Sequence, residues 1–143
     1  MNLLLKFLVF IIVMIFSVSS ANENFFNDAK ILYEEEKYEE SKFLFQRNIV
    51  FNPKDAKSYL YLAKIFNVEE NEIEEEKNLN TTLLLQPDNE DAMYMLINMQ
   101  LKKSDYSEVE GLLNNFSKIC NSLCNKIVSI KKRLNDIEAK EET

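Results

Sequence analysis

The side chains with the most reactive chemistry in this sequence are its two cysteines, Cys120 and Cys124. Their C-x-x-x-C spacing differs from the C-x-x-C of thiol redox motifs, and the chain has no histidine or further cysteine to complete a metal site. In an oxidising compartment, one pair of cysteines favours one disulfide bond. On a regular helix their Cα atoms would lie about 6 Å apart, near the upper end for a disulfide. We therefore expect a structural disulfide across a helix end or turn.

Other chemistry is sparse. With His 0 and Gly 1, the chain lacks the usual parts of His-based catalysis and of Gly-rich phosphate loops. Acidic residues cluster at 34–36, 39–40 and 74–76, but calcium loops alternate their ligands and place a glycine at the sharp turn. We expect these clusters to be solvated helix ends and turns. The sequence thus predicts neither an enzyme nor a metal or cofactor site.

Composition and charge set the fold class and exclude one kind of partner. Hydrophobic residues make up 46% of the chain, and there are only one glycine and two prolines, which favours long helices and an all-α fold. Acidic residues outnumber basic ones by 24 to 17, giving a formal net charge of −7. Nucleic acid is therefore a poor partner, because neutralising phosphates requires a basic face.

Residues 1–21 have the pattern of a secretory signal peptide. Lys6 precedes an apolar run from Phe7 to Val18, and small residues ending at Ala21 follow. The 12-residue run is short for a bilayer core, which takes roughly 20 apolar residues. We expect cleavage between Ala21 and Asn22 and a periplasmic or secreted product. An uncleaved inner-membrane anchor is the alternative.

The remaining chain repeats with a period of 34 residues, the distance from Pro53 to Pro87. Before each proline lie a helical run, a Glu-rich turn and a second helical run. The pattern predicts three units, at about 22–55, 56–89 and 90–121. An amphipathic helix within residues 122–143, from about Ser122 to Glu138, then covers the open end of the stack. We expect the disulfide to mark the corner before this helix.

The repeat resembles the tetratricopeptide repeat (TPR), which also has a 34-residue period. The first unit matches in Phe25, in Ala29 at the tight helix crossing, and in Tyr38 and Ser41 opening the second helix. The third matches in Asp105-Tyr106-x-Glu108. The second departs from the pattern, with Glu72 in place of an aromatic residue and Glu75 in place of a small one. The resemblance implies an α-solenoid of about three helix-turn-helix repeats plus a capping helix.

It also implies a binding groove lined by the first helix of each repeat. Matching the family's groove positions gives three rows: Phe26, Leu60 and Tyr94; Lys30, Lys64 and Asn98; and Tyr33, Asn67 and Leu101. Exposed apolar side chains in such rows would act as binding anchors, and the two lysines would meet acidic groups. The family's carboxylate clamp, a set of Lys and Asn residues, is not matched. A test remained open at this point, since the first row would also suit a role in core packing.

The expected function is that of an exported bacterial scaffold or adaptor that binds a protein or peptide segment in the cell envelope. A membrane-anchored assembly factor, with the signal segment retained, is the first alternative. A thiol-dependent redox protein using Cys120 and Cys124 is the second, and self-association is a further candidate. Contact with a membrane is expected only if the signal segment is retained.

Overall fold

The computed structural model describes residues 25–141, with side chains as far as Asp136. The signal segment predicted at residues 1–21 lies outside this range. Within it the chain forms seven helices joined by short turns: α1 (Phe25–Glu34), α2 (Tyr38–Phe51), α3 (Ala56–Val68), α4 (Glu72–Leu85), α5 (Glu90–Lys102), α6 (Tyr106–Ile119) and α7 (Lys126–Glu141). None of them is long and apolar enough to cross a membrane. The described chain is therefore all-α, as composition predicted.

The turn inside each repeat recurs at intervals of 34 residues. Glu36, Glu70 and Ser104 adopt left-handed backbone conformations, with φ of 59°, 57° and 59°. The N–H of the next residue then donates to a carbonyl five residues back, closing the Schellman motif that ends many helices. These bonds are Lys37 to Leu32 at 2.9 Å, Asn71 to Phe66 at 2.9 Å and Asp105 to Gln100 at 3.0 Å. The repeat is thus set by equivalent turns as well as by equivalent helices.

The second repeat keeps this register in spite of its unusual residues. Glu72 begins α4 where Tyr38 and Tyr106 begin α2 and α6. The side chain of Asn71 caps α4 by accepting from the N–H of Glu74, as Asp105 caps α6 by accepting from Glu108. The helix predicted from about Glu72 to Leu85 has those bounds. A local N-cap therefore replaces the missing aromatic residue as the signal that starts the helix.

Small or fully buried residues lie where paired helices cross. Ala29, Ala63 and Ile97, each 34 residues from the next, are all 0% exposed. In the first pair, the hydroxyl of Ser41 donates to the carbonyl oxygen of Ala29 at 2.8 Å, a contact that requires close backbones. Ile97 occupies this position without exposure, so the third pair accommodates a larger side chain there.

Two apolar clusters form the core. The first fills the space between α1, α2 and α3 and contains Ala29, Phe45, Leu62, Ile65 and Phe66. The second extends from α3 to α7 and includes Leu79, Ile97, Val109, Phe116 and Ile130. Burial of such side chains supplies the main stabilisation in a solenoid, where each helix pair contacts only its neighbours.

Ion pairs between neighbouring repeats also follow the period. Lys42 of α2 pairs with Glu69, just after α3, at 2.6 Å. The equivalent positions one repeat later carry Glu76 and Lys103, also 2.6 Å apart, with the two charges exchanged. The hydrogen bond to Lys103 lowers the pKa of Glu76. Both pairs connect the second helix of one repeat to the end of the first helix of the next.

The acidic cluster at 74–76 corrects the prediction that all such clusters are solvated. Glu34, Glu35 and Glu36 are exposed, as expected. Glu75, however, is 4% exposed and accepts a 3.0 Å hydrogen bond from Asn67. It lies at the helix-pair interface because position 75 corresponds to Ser41 in the first repeat. The side chain of Asn67 satisfies the carboxylate that replaces the small residue.

The disulfide joins Cys120, the residue that caps the C-terminus of α6, to Cys124 in the turn before α7. Their Cα atoms are 5.2 Å apart. The bond lies at the corner between the last repeat and the C-terminal helix, as predicted. The start of that helix was predicted too early, at about Ser122 instead of Lys126. Residues 120–125 form the disulfide-linked turn, and α7 begins only after it.

The same corner is fastened to the N-terminus of α5 by Glu90. Its carboxylate accepts from the N–H groups of Ser122 at 3.0 Å and Leu123 at 2.8 Å, and from the Ser122 hydroxyl at 3.3 Å. Backbone hydrogen bonds from Asn121 and Leu123 lower the pKa of Glu90. The ionised carboxylate thus holds the turn through several donors at once.

This contact predicts a pH-dependent contribution to stability. Because the pKa of Glu90 is lower in the folded state, its contribution is present above the ordinary value of 4.5 and is lost as pH falls through the folded value. We expect Glu90→Gln to lower the melting temperature at neutral pH. The gap between wild type and variant should narrow as the pH is lowered below about 4.5. Thermal unfolding followed by circular dichroism from pH 7 to pH 3 measures the gap, and a pH-independent gap would contradict the role of the charge.

Candidate binding cleft

A cleft of about 320 Å³ opens between the first helices of the three repeats. From α1 it receives Phe26 and Lys30, from α3 Lys57, Leu60, Tyr61 and Lys64, and from α5 and the turn before it Gln86, Asn89 and Asp91. Because first helices recur every 34 residues, they lie side by side and present the same face to one surface. The cleft is the concave surface that the sequence predicted.

Aromatic rings form the floor and wall of the cleft. The ring of Phe26 contacts those of Phe45 and Tyr61 edge to face, at 5.6 and 5.8 Å between centroids. Tyr61 also stacks on Phe45 at 5.0 Å and meets Tyr33 at 5.1 Å. Burial raises the pKa of Tyr33, so its phenol stays neutral at physiological pH. These contacts hold the rings in place and leave part of Phe26 and Tyr61 accessible.

The rim of the cleft is mainly cationic in a chain of net negative charge. Lys64 pairs with Asp91 at 2.8 Å and lies over the ring of Tyr61, 5.4 Å from its centroid. Lys30 pairs more loosely with Glu34, at 3.5 Å. Lys57 is exposed and has no ion-pair partner among the described residues. Three lysines against one aspartate make this section suitable for acidic groups.

The predicted rows are partly confirmed by where their members lie. Phe26, Lys30, Leu60 and Lys64 line the cleft. Leu60 is only 7% exposed, so it forms part of the floor and offers little accessible surface. Tyr33 is half-buried among Tyr38 and Tyr61 and contributes mainly to packing. The packing role considered for the first row therefore applies to a part of it.

One predicted groove residue is wrong. Leu101 is 6% exposed and belongs to the larger core cluster. It occupies the last turn of α5, where that helix packs against its neighbours. Sequence reasoning also missed Lys57, Tyr61 and Asp91. The signal was available, because Lys57, Leu60, Tyr61 and Lys64 follow the i, i+3, i+4, i+7 spacing of one helix face, and Asp91 is the equivalent of Lys57 one repeat later.

A second depression, of about 200 Å³, lies towards the far ends of α3 and α5. It is lined by Asn67, Glu75, Met95, Asn98, Met99 and Lys102. Asn67 is exposed but its amide donates to the buried Glu75. Asn98 bonds to the carbonyl oxygen of Tyr94 on its own helix. This depression is more polar and its amides already have partners.

Helix α7 forms the far wall of the concave surface. Arg133 donates to the side-chain oxygen of Asn98 at 3.1 Å, and Lys126 lies 5.7 Å from the ring centroid of Tyr94. Tyr94 itself stacks on Phe116 at 6.4 Å. The C-terminal helix, expected to cap the stack with Lys126 and Arg133 on its outer face, directs both towards α5. It adds two cations beside the predicted residues Tyr94 and Asn98.

Comparison with known proteins finds similarity in structure but not in sequence. No family model and no curated protein matches the sequence at a significant level. The type III secretion translocator chaperone SycD of Yersinia enterocolitica superposes with a TM-score of 0.72 at 19% identity, covering 92% of this chain and 94% of SycD. The TPR2B domain of yeast Sti1, in a complex with Hsp70, gives 0.70 at 15% identity, covering 80% and 95%.

A third solved structure is the first TPR domain of RPAP3, also called Spaghetti, bound to an HSP90 peptide. It gives a TM-score of 0.66 at 11% identity and covers 78% of this chain and 93% of that domain. These structures share the arrangement of helices with this chain at identities that establish the fold alone. The recurring turns, crossings and concave cleft agree with them, and the chain has the fold of a TPR protein, an α-solenoid of helix pairs with a C-terminal helix.

Proposed function

We propose that this chain is a non-catalytic adaptor whose concave cleft holds an extended segment of another protein. The observation that carries the proposal is the cleft itself, in which Phe26 and Tyr61 present apolar surface beside Lys30, Lys57 and Lys64. Apolar anchors with charged groups around them are the usual composition of a peptide-binding surface. Similar folds support the proposal, since one SycD structure contains a peptide of the translocator YopD and the RPAP3 domain binds an HSP90 peptide.

The residues of the rim favour an acidic segment that also carries an apolar side chain. Lys57 is unpaired among the described residues, while the exposed ion pair between Lys30 and Glu34 can open at little cost. The apolar side chain would cover Phe26 and Tyr61, and the acidic groups would approach the lysines. Lys64 is less available because Asp91 already pairs with it at 2.8 Å.

A charge-reversal experiment tests the adaptor role and its site together. Partners are captured by mild cross-linking in the producing cells and identified by mass spectrometry, with the wild type and the variant Lys30→Glu/Lys57→Glu compared side by side. The matched control Lys77→Glu/Lys118→Glu makes the same change of charge away from the cleft, on α4 and α6. We expect the cleft variant to recover roughly tenfold less of a specific partner, and the control to recover it normally.

Either of two results would contradict this proposal. Equal recovery by both variants would place binding away from the cleft. Absence of any specific partner from the wild type would remove the support for an adaptor. Both double variants change exposed lysines, so circular dichroism should show unchanged helix content, and a loss of recovery can be assigned to binding.

We further propose that the protein acts in the cell envelope of a bacterium after export. The signal-like pattern of residues 1–21 and the pairing of the only two cysteines support this location. The intact mass of the purified native protein gives the test, because cleavage predicts a chain that begins at Asn22. Retention of residues 1–21, together with resistance to carbonate extraction, would instead support the membrane-anchored alternative.

The thiol-dependent alternative makes a different prediction for Cys120 and Cys124. A redox role requires a reactive thiol, which alkylation of the native protein would detect. As a structural bond, the cysteines should resist alkylation until a reductant is added.

A further inference from the structure

Helix α2 has an apolar stripe on its outer side that no other described helix covers. Phe43 is 61% exposed and Val50 is 77% exposed. They lie seven residues apart, two helical turns, and so share one face. The opposite face of α2 buries Ser41, Phe45 and Asn48 against α1 and α3. Exposed side chains of this size on one stripe indicate a contact surface.

The charges beside this stripe are arranged to match a second copy of the same helix. Glu39 and Glu40 lie in the first turn of α2, and Arg47 lies two turns later. If two copies of α2 pack antiparallel about a two-fold axis at Phe43, Glu40 of each copy faces Arg47 of the other. The two opposite-charge contacts then form symmetrically, and the two helix dipoles oppose each other favourably.

We propose that the protein forms a symmetric homodimer through α2, with the two Phe43 rings at its centre. A second copy fits the surface better than an anionic membrane, because the chain carries a net charge of −7. Each α2 covers the other's Phe43 and Val50. Arg47, which lies over the ring of Phe25 at 4.4 Å within one chain, is held where it meets the partner's Glu40.

The dimer leaves both concave clefts open. The cleft receives residues of α1, α3 and α5, whereas the stripe lies on the outer side of α2. One dimer therefore presents two clefts, which would raise its avidity for a partner that carries two binding segments. This consequence rests on the proposed function, but the dimer itself does not.

Sedimentation equilibrium over a concentration series tests the interface. We expect the wild type to be a dimer and Phe43→Glu to be a monomer over the same range. Leu84→Glu is the matched control, since Leu84 is 80% exposed on the outer side of α4, and it should leave the dimer intact. A monomeric wild type at every concentration would overturn the proposal. So would a dimer that survives Phe43→Glu, or one that Leu84→Glu disrupts equally.

A charge exchange tests the antiparallel arrangement and does not depend on Phe43. Glu40→Arg and Arg47→Glu each place like charges face to face, and each should weaken dimerisation by roughly tenfold. Mixed in equal amounts, the two variants should form a heterodimer, because each introduced charge then meets an opposite charge on the other chain. Native mass spectrometry separates the species. If the mixture associates no better than the single variants, the antiparallel contact of Glu40 with Arg47 is wrong.

Discussion

Leu79→Ala is expected to lower the free energy of unfolding by about 2–5 kcal/mol. Leu79 is 0% exposed in the larger core cluster, where α4 meets its neighbours. Truncation removes apolar contacts and leaves a cavity that tightly packed helices fill only in part. In a solenoid the loss also weakens the interface through which the second repeat stabilises the third.

The same helix supplies a control of identical chemistry. Leu84 lies five residues further along α4 and is 80% exposed. We expect Leu84→Ala to change the free energy of unfolding by less than about 0.5 kcal/mol. Chemical denaturation followed by circular dichroism measures both variants. Comparable losses would show that Leu79 is not the packing centre of α4, whatever the absolute stability of the chain.

Removal of the disulfide is expected to cost about 2 kcal/mol, because the bond closes a short loop and restricts the unfolded chain. Cys120 and Cys124 are only four residues apart, so the value is near the low end for disulfides. The loss should concentrate in α7, which contacts the repeats mainly through Ile130, Leu134 and the corner held by Glu90.

Hydrogen exchange of the double variant Cys120→Ser/Cys124→Ser locates this effect. Amides of α7 should exchange faster, while those of α2, at the other end of the stack, should keep their protection. Reduction of the wild type should reproduce the loss of stability, and reductant should not affect the double variant. Uniformly faster exchange along the chain would show that the bond stabilises the whole stack instead of the C-terminal helix.

The effect on α7 also reaches the cleft region. Arg133 and Lys126 of α7 contact Asn98 and Tyr94 of α5. If α7 separates from α5, the far wall of the concave surface loses both cations. The cleft around Lys57 and Tyr61 lies between α1, α3 and α5, so it should retain its shape when the disulfide is removed.

Most of the fold could be predicted from local sequence. The 34-residue spacing of Pro53 and Pro87 recurs in the left-handed turn residues Glu36, Glu70 and Ser104 and in the starts of α2, α4 and α6. A helix start or a turn depends on a few adjacent residues, which the sequence displays directly. For the same reason, the disulfide was correctly expected at a helix end, since the two cysteines are neighbours in the chain.

The candidate site was less accessible to such reasoning. Phe26, Lys30, Leu60 and Lys64 were placed correctly because equivalent positions of a repeat share one face. Leu101 was misplaced and Tyr61 was missed, because the width of the accessible strip on a helix depends on how closely its neighbours approach. Periodicity gives the direction of a side chain but not the distance to the next helix.

The sequence by itself determined the helices, their turns, their repeat and the side on which the cleft opens. Only the tertiary structure decided that Glu75 is buried against Asn67, that the charges of the Lys42–Glu69 pair are exchanged in Glu76–Lys103, and that α7 directs Arg133 towards Asn98. Each of these contacts joins residues from different helices. Their formation depends on the relative positions of packed helices, which no local pattern specifies, because those positions follow from the combined shape of all the side chains between them.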